Sequence, residues 1–266
     1  MLAPRRALFL FSLLSAIFLF ILPAFCTASQ SPAALPPLIS DLVSRAGAGD
    51  SSAQRQLFQF LIHGDPASPD FPSALAWLRS LAPHDDPRAE LVLAYLYERG
   101  RGLPRDYAKA AENHQALALH DNHVAQNNRA FLYQNGLGVA KNLRRAFELY
   151  LASAQQNDPN AQCNLATMCL NGSGVDRDLN EAAHWFRAAA NLGDPVAQHD
   201  LAVFYSEGMG VQPSDKEAAR WENLAARQGY PLAESGLAML FESGKGLPLD
   251  YVSAYAWYSR AVMDGD

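Results

Sequence analysis

Glycine sets the register of this chain. It stands at Gly64, Gly100, Gly136, Gly172, Gly208 and Gly244, each 36 residues after the last. In the last five cases a second glycine follows two residues later, at Gly102, Gly138, Gly174, Gly210 and Gly246. Eleven residues before each marker stands an alanine (Ala53, Ala89, Ala125, Ala161, Ala197, Ala233). Ten residues after it stands another (Ala74, Ala110, Ala146, Ala182, Ala218, Ala254). Trp77, Trp185, Trp221 and Trp257 fall thirteen residues after their markers. No insertion breaks this register. A period of this length marks a solenoid, in which one unit cannot bury its apolar faces alone and stacking on neighbours completes the core.

Each unit reads as a pair of helices, A then B. Asp86-Pro87, Asp158-Pro159 and Asp194-Pro195 open helix A, aspartate as N-cap and proline as first helical residue. Ala161, Leu165, Met168 and Cys169 then form an apolar stripe at helical spacing. The marker glycine ends the helix by adopting the left-handed conformation. Asp178 with Glu181, and Ser214 with Glu217, predict capping boxes at the start of helix B. Ala182, Trp185, Phe186, Ala189 and Ala190 give helix B its buried face, small residues allowing close approach and rings filling the space beyond. Strand signals are absent. The expected fold is all-α, a solenoid (superhelix) of six 36-residue helix-turn-helix repeats over residues 51–266.

These residues carry a resemblance. The pattern A-x-x-x-L-A-x-x-Y-x-x-G-x-G-V, then D, then A-x-x-W-Y-x-x-A-A is similar to the Sel-1-like repeat, a relative of the tetratricopeptide repeat. The units Ala161–Ala190 and Ala197–Ala226 match best, and Pro87–Ala118 and Leu232–Val262 match well. Ala125–Ala154 keeps the glycines but has Leu149 for the tryptophan. Ala53–Ala82 is degenerate, with one marker glycine, Phe58 in place of a small residue, and Pro66, Pro69 and Pro72. The resemblance implies a protein–protein adaptor, in exported or secretory settings among others.

The first 28 residues stand apart. Arg5 and Arg6 precede an apolar run from Ala7 to Leu22, then Pro23 and Cys26-Thr27-Ala28. This is the layout of a secretory signal peptide cut after Ala28. The alternative is an uncleaved inner-membrane anchor over residues 7–25. Export is therefore expected, to the periplasm in a Gram-negative cell, with contact to membrane only through this segment if it is uncleaved. Residues 29–50 would form a spacer and one capping helix, from Pro36 to Ala46, with Asp41 and Arg45 outward.

Without Arg5 and Arg6 the chain carries 19 basic against 27 acidic residues. That balance argues against a nucleic-acid partner, which calls for a concentrated basic face. Cys163 and Cys169 share one helix, too far apart along it for a disulfide, and read as small buried hydrophobes. His114 occupies the slot of Tyr150, Phe186 and Tyr258 and reads as a core residue; His120 and His123 fall in the inter-repeat turn, at no usual zinc spacing. No metal and no cofactor are expected. Some cysteine-rich relatives are described as penicillin-binding proteins or β-lactamases, but Ser-x-x-Lys occurs nowhere in this chain. A cell-envelope hydrolase stays as an alternative function without a catalytic residue to name.

Two surfaces remain for a protein or peptide partner. On helix A, positions 12, 9, 5 and 2 before the marker lie opposite the core stripe. By resemblance to tetratricopeptide arrays this is the concave wall. Its candidate binding residues are Arg88, Tyr95, Asn127, Phe131, Gln134, Asn160 and His199, with Arg99, Asn135 and Asn171 beside them. Asparagine amides can pair with a ligand backbone, and Tyr95 and Phe131 can offer apolar pockets. The second surface is the last helix, where Tyr251, Tyr255 and Tyr258 form an aromatic edge that no following repeat covers in this sequence, a candidate for docking or self-association. A self-associating structural protein is the third functional reading.

Overall fold

A computed structural model describes residues 39–81, 86–118 and 122–264. The segment read as an export signal, the spacer and His120 lie outside these residues. The described residues form thirteen helices and no strand. They are α1 (Ile39–Gly47), α2 (Ser51–His63), α3 (Phe71–Leu81), α4 (Pro87–Arg99), α5 (Tyr107–Ala118), α6 (His123–Asn135) and α7 (Leu143–Ala154). Then follow α8 (Pro159–Asn171), α9 (Leu179–Asn191), α10 (Pro195–Glu207), α11 (Asp215–Arg227), α12 (Pro231–Ser243) and α13 (Tyr251–Asp264). The even-numbered helices are the A helices. Each packs on its sequence neighbours, the arrangement of an all-α solenoid. The amino-terminal helix predicted from Pro36 is seen from Ile39, and it packs on α2 and α3.

The predicted caps hold helix A in place. Asp86, Asp158 and Asp194 each accept hydrogen bonds from backbone N–H groups of the first turn, with proline at the next position. Asp50 and Asn122 do the same without proline. Asp178 and Ser214 accept backbone bonds at helix B, but the capping boxes are only half made. The Glu181 carboxylate instead accepts the Trp185 indole N–H at 2.7 Å, and Glu217 pairs with Arg220 at 3.0 Å. The reason is periodic. The backbone N–H that the box would satisfy already donates to the third carbonyl before the marker glycine. These bonds run Asp106 to Tyr97, Asn142 to Tyr133, Asp178 to Cys169, Ser214 to Tyr205 and Asp250 to Phe241, all 2.9–3.0 Å. Each one clasps helix B to the end of its own helix A.

The core is built on the alanines. All twelve register alanines are at most 4% exposed. Tyr150, Phe186, Phe204 and a series of leucines fill the space between them. The marker glycines from Gly100 onward take left-handed φ values of 66–69°. Gly64 departs from the prediction: its φ is −68°, and its missing Cβ makes room for the Phe60 ring and carbonyl. The second glycine sets the spacing between repeats. A Cβ on Gly210 would overlap the Leu179 carbonyl at the start of the preceding helix B, and Gly174 meets Leu143 in the same way.

Candidate functional site

The slot fourteen residues after the marker holds the largest variable side chain of helix B, and its polar tip reaches back across the hairpin. His114 is 1% exposed, and its Nε2 lies 3.0 Å from Glu98 Oε1. The buried Tyr150 hydroxyl donates to Gln134 Oε1 at 2.9 Å, and Tyr258 donates to Glu242 at 3.0 Å. Gln134 is thus partly committed to its own repeat's core. The prediction that His114 packs inside holds. His123 opens α6 instead of lying in the turn, and its Nδ1 sits 3.4 Å from Asp158.

A second polar row clips one repeat to the next. Ten residues before the marker, Gln54, Gln162 and Gln198 donate to the last carbonyls of the preceding helix B: Ala46, Ala154 and Ala190. Gln156 and Gln228 donate in turn to Gln126 and Gln198. Glu234 replaces glutamine in the last repeat and takes Arg260 Nε at 2.6 Å. The sequence reading assigned no role to this row. Its signal was present: glutamine at a fixed register position where an amphipathic helix would be expected to bury an apolar residue.

Positions nine before the marker, read as groove, also face the joints. Asn164 Nδ2 donates to Asn127 Oδ1 across the joint of the third and fourth repeats at 3.1 Å. The Cys163 thiol donates to Asp194 at 3.5 Å. His199 Nδ1 lies 3.0 and 3.1 Å from the two Glu222 oxygens, and its ring meets Tyr230 edge-on at 5.6 Å. Glu222 occupies the slot held elsewhere by His114 and Tyr150 and is only 5% exposed. It fits because Gly236, on α12, has no Cβ to obstruct it. Burial pushes the Glu222 and Asp194 carboxyls above their ordinary range, against hydrogen bonds that lower them. Burial also raises both thiols, Cys169 to about 11, so neither is a reactive thiolate.

The predicted partner-binding residues therefore divide. Asn127, Gln134 and His199 are engaged in joints or clasps. Tyr95 and Phe131 are half-buried against the core clusters of their own regions, and Asn135 donates to the Phe131 carbonyl. Arg88 is exposed but is paired to Asp86 at 2.8 Å and reaches Gln54 at 3.3 Å. Arg99 is exposed and lies over the Tyr95 ring, while Asn160 and Asn171 are exposed. Met239 joins them at 55% exposure. On the last helix, Tyr251 and Tyr255 are 65% and 76% exposed, as are Val252, Val262 and Met263 at 72–80%. Tyr258 is half-covered.

Two surface notches one repeat apart are lined by Arg144, Phe147, Glu148, Gly172, Gly174, Val175 and Asp176, and by Asn180, Gly208, Gly210, Val211 and Gln212. Neither contains the histidine and carboxylates of the joint. Among the described residues no group of histidine, cysteine and carboxylates is arranged to hold a metal ion. No helix among them is long and apolar enough to cross a membrane.

The comparisons agree with this architecture. The chain is 28% identical to a protective antigen of uropathogenic Escherichia coli strains with an SLR fold, at a TM-score of 0.77. That match covers 87% of this chain and 50% of the antigen, so the chain spans half the length of that protein. It is also 28% identical to a Sel1 repeat protein from Oxalobacter formigenes, at a TM-score of 0.68, over 74% of this chain and 78% of that one. No curated protein matches. The Sel1 repeat model matches residues 51–82, 87–122, 123–158, 159–194, 195–230 and 231–266, and with nearly the whole described array so matched, the chain belongs to the Sel1 repeat family.

Proposed function

We propose that this chain is an exported interaction protein that holds a protein or peptide along its helix-A face. Sel1 repeat proteins are generally scaffolds for protein interactions. The observation that carries the reading is the make-up of what that face exposes: Asn160, Asn171 and Met239 stand out from it, donors and acceptors beside apolar surface. Such a surface can pair a partner's backbone and seat its side chains. The signal-like layout of residues 1–28 supports export.

The test is photo-crosslinking in the native host, with the reactive residue at Asn160, Asn171 or Met239 and, as controls, at Arg144 or Lys216 on helix B. One defined adduct from the helix-A sites, recovered in the envelope fraction, is expected. Equal labelling from both sets, or adducts confined to the cytosol, would overturn the proposal. Replacing Asn127 and Phe131 together would disturb a joint and the core, so lost binding would not distinguish a groove from a damaged fold.

A second reading is self-association through α13, favoured by its exposed apolar face. Tyr255 and Val262 occupy the register positions of Ala219 and Ala226, which are 2% and 0% exposed where a following repeat covers them. The hydrolase alternative gains nothing from the geometry, since the histidine and carboxylates that converge do so inside a packed joint.

A further inference from the structure

One side of α13 is a continuous arc without charge. At helical spacing Tyr251, Val252, Tyr255, Tyr258, Val262 and Met263 fall within about 140° of the helix circumference. The other residue inside the arc, Ser259, spends its hydroxyl on the Tyr255 carbonyl at 2.8 Å, and the Tyr258 hydroxyl is spent on Glu242. Neither charged residue of α13 falls on this arc, and one of them, Arg260, is paired to Glu234 on α12. Two positions of the arc, 11 and 18 residues after the marker glycine, are where the next A helix seats in other repeats. They hold Ala183 and Ala190 in the fourth repeat and Ala219 and Ala226 in the fifth, all at most 2% exposed. In α13 they hold Tyr255 and Val262, larger side chains that stand 76% and 72% exposed.

We propose that the occupant of this arc is the same arc of a second copy: two chains join tail to tail, α13 against α13, about a two-fold axis. The inference rests on the self-association reading and adds its geometry and its stoichiometry. Three observations favour a second copy in this orientation. The exposed parts of Tyr251, Val252, Tyr255, Val262 and Met263 amount to roughly 600 Å² per copy, most of the roughly 800 Å² per partner that a specific interface buries. The chain carries a net charge of −6, so two copies repel unless they meet on a face without charge, and this arc is such a face. The other end of the array does not match it. The exposed residues of α1 are polar, with Ser40, Asp41, Ser44 and Arg45 among them, and Arg45 is paired to Asp41 and Asp50. Packing the apolar arc on α1 would bury those charges without partners from α13, so head-to-tail stacking into a filament is disfavoured. A two-fold pairing uses up the arc on both copies and stops at two. The resulting particle carries two helix-A faces, so a partner with two copies of one motif is held by both.

Sedimentation of the chain as its host processes it tests this. The unaltered chain should reach the mass of two chains and go no higher as concentration rises, a result that serves even if a variant fails to fold. Tyr255→Lys with Val262→Lys, and separately Tyr255→Glu with Val262→Glu, should each give the mass of one chain at unchanged helicity, since both positions are exposed. Mixed in equal amounts, the two variants should return to the mass of two, because lysines then face glutamates across the axis, and added salt should weaken that pair. A monomer at every concentration would leave the face to a different occupant, and a dimer that survives both variants would place the contact elsewhere; either overturns this inference together with association through α13. Species that grow beyond two, or variants that stay monomeric when mixed, would leave α13 as a contact surface but overturn the two-fold pairing.

Discussion

At the scale of the residue, repeats amplify small backbone requirements because every joint poses the same one. Gly210 illustrates this. It takes a φ of +62°, and a Cβ there would overlap the Leu179 carbonyl. The left-handed conformation alone costs an alanine about 1–2 kcal/mol, and forcing atoms into a packed contact adds about 1–3 kcal/mol. Gly193 separates the two effects, since its φ is +95° but nothing lies within 4 Å of a Cβ. Urea unfolding should therefore show Gly210→Ala to be destabilising by about 3 kcal/mol and Gly193→Ala by about 1–2 kcal/mol. Equal costs would mean that the joint tolerates separation and that the close approach is incidental. The two glycines cannot be ranked from sequence, because the atom that Gly210 avoids is 31 positions earlier in the chain. Gly64 gives the reverse lesson. It sits in register but needs no positive φ, because the proline-bearing loop after it leaves along a different path from the Gly-x-Gly turns.

At the scale of the element, the caps have unequal duties although the sequence writes them alike. Asp178 caps α9 from an exposed position and accepts two backbone N–H groups. Asp158 caps α8 while 4% exposed, and its second oxygen also takes the Ser153 hydroxyl at 3.0 Å and faces His123. Removing Asp178 should cost about 1 kcal/mol, the usual loss of a cap. Asp158→Ala should cost about 2–3 kcal/mol, because it also removes the buried oxygen that faces Ser153 and His123 and so opens the joint between α6 and α8. Thermal unfolding of the two variants side by side checks the ranking, and a smaller loss for Asp158→Ala would deny the joint any part in stability. The helices themselves were legible from alanine spacing, Asp-Pro starts and glycine stops. What was not legible was that the capping boxes stop halfway, since the competing backbone clasp runs between residues nine apart and exists only once both helices are in place.

At the scale of the whole molecule, the question is which surfaces the stacking leaves for others. Tyr251, Val252, Tyr255, Val262 and Met263 form one apolar face on α13. If that face mediates self-association, Tyr255→Lys with Val262→Lys should shift sedimentation from dimer to monomer at unchanged helicity. A chain that is already monomeric at high concentration would remove the self-association reading. The helix-A wall was only partly legible. Helical geometry put Asn127, Gln134 and His199 on its open side, but an A helix in a stack faces its neighbouring repeats as well as solvent. Burial at those positions depends on the angle between repeats, which a single unit does not encode. By itself the sequence determined the period, the helix pairs, their caps and the alanine core, because these follow from local conformation and from apolar spacing along one helix. Only the tertiary structure decided which polar residues close the joints, that Glu222 and His199 meet beside Gly236, and which side chains stay free for a partner. Those outcomes depend on atoms from adjacent repeats meeting at hydrogen-bonding distance, and one residue change per repeat carries no sign of that until the repeats are stacked.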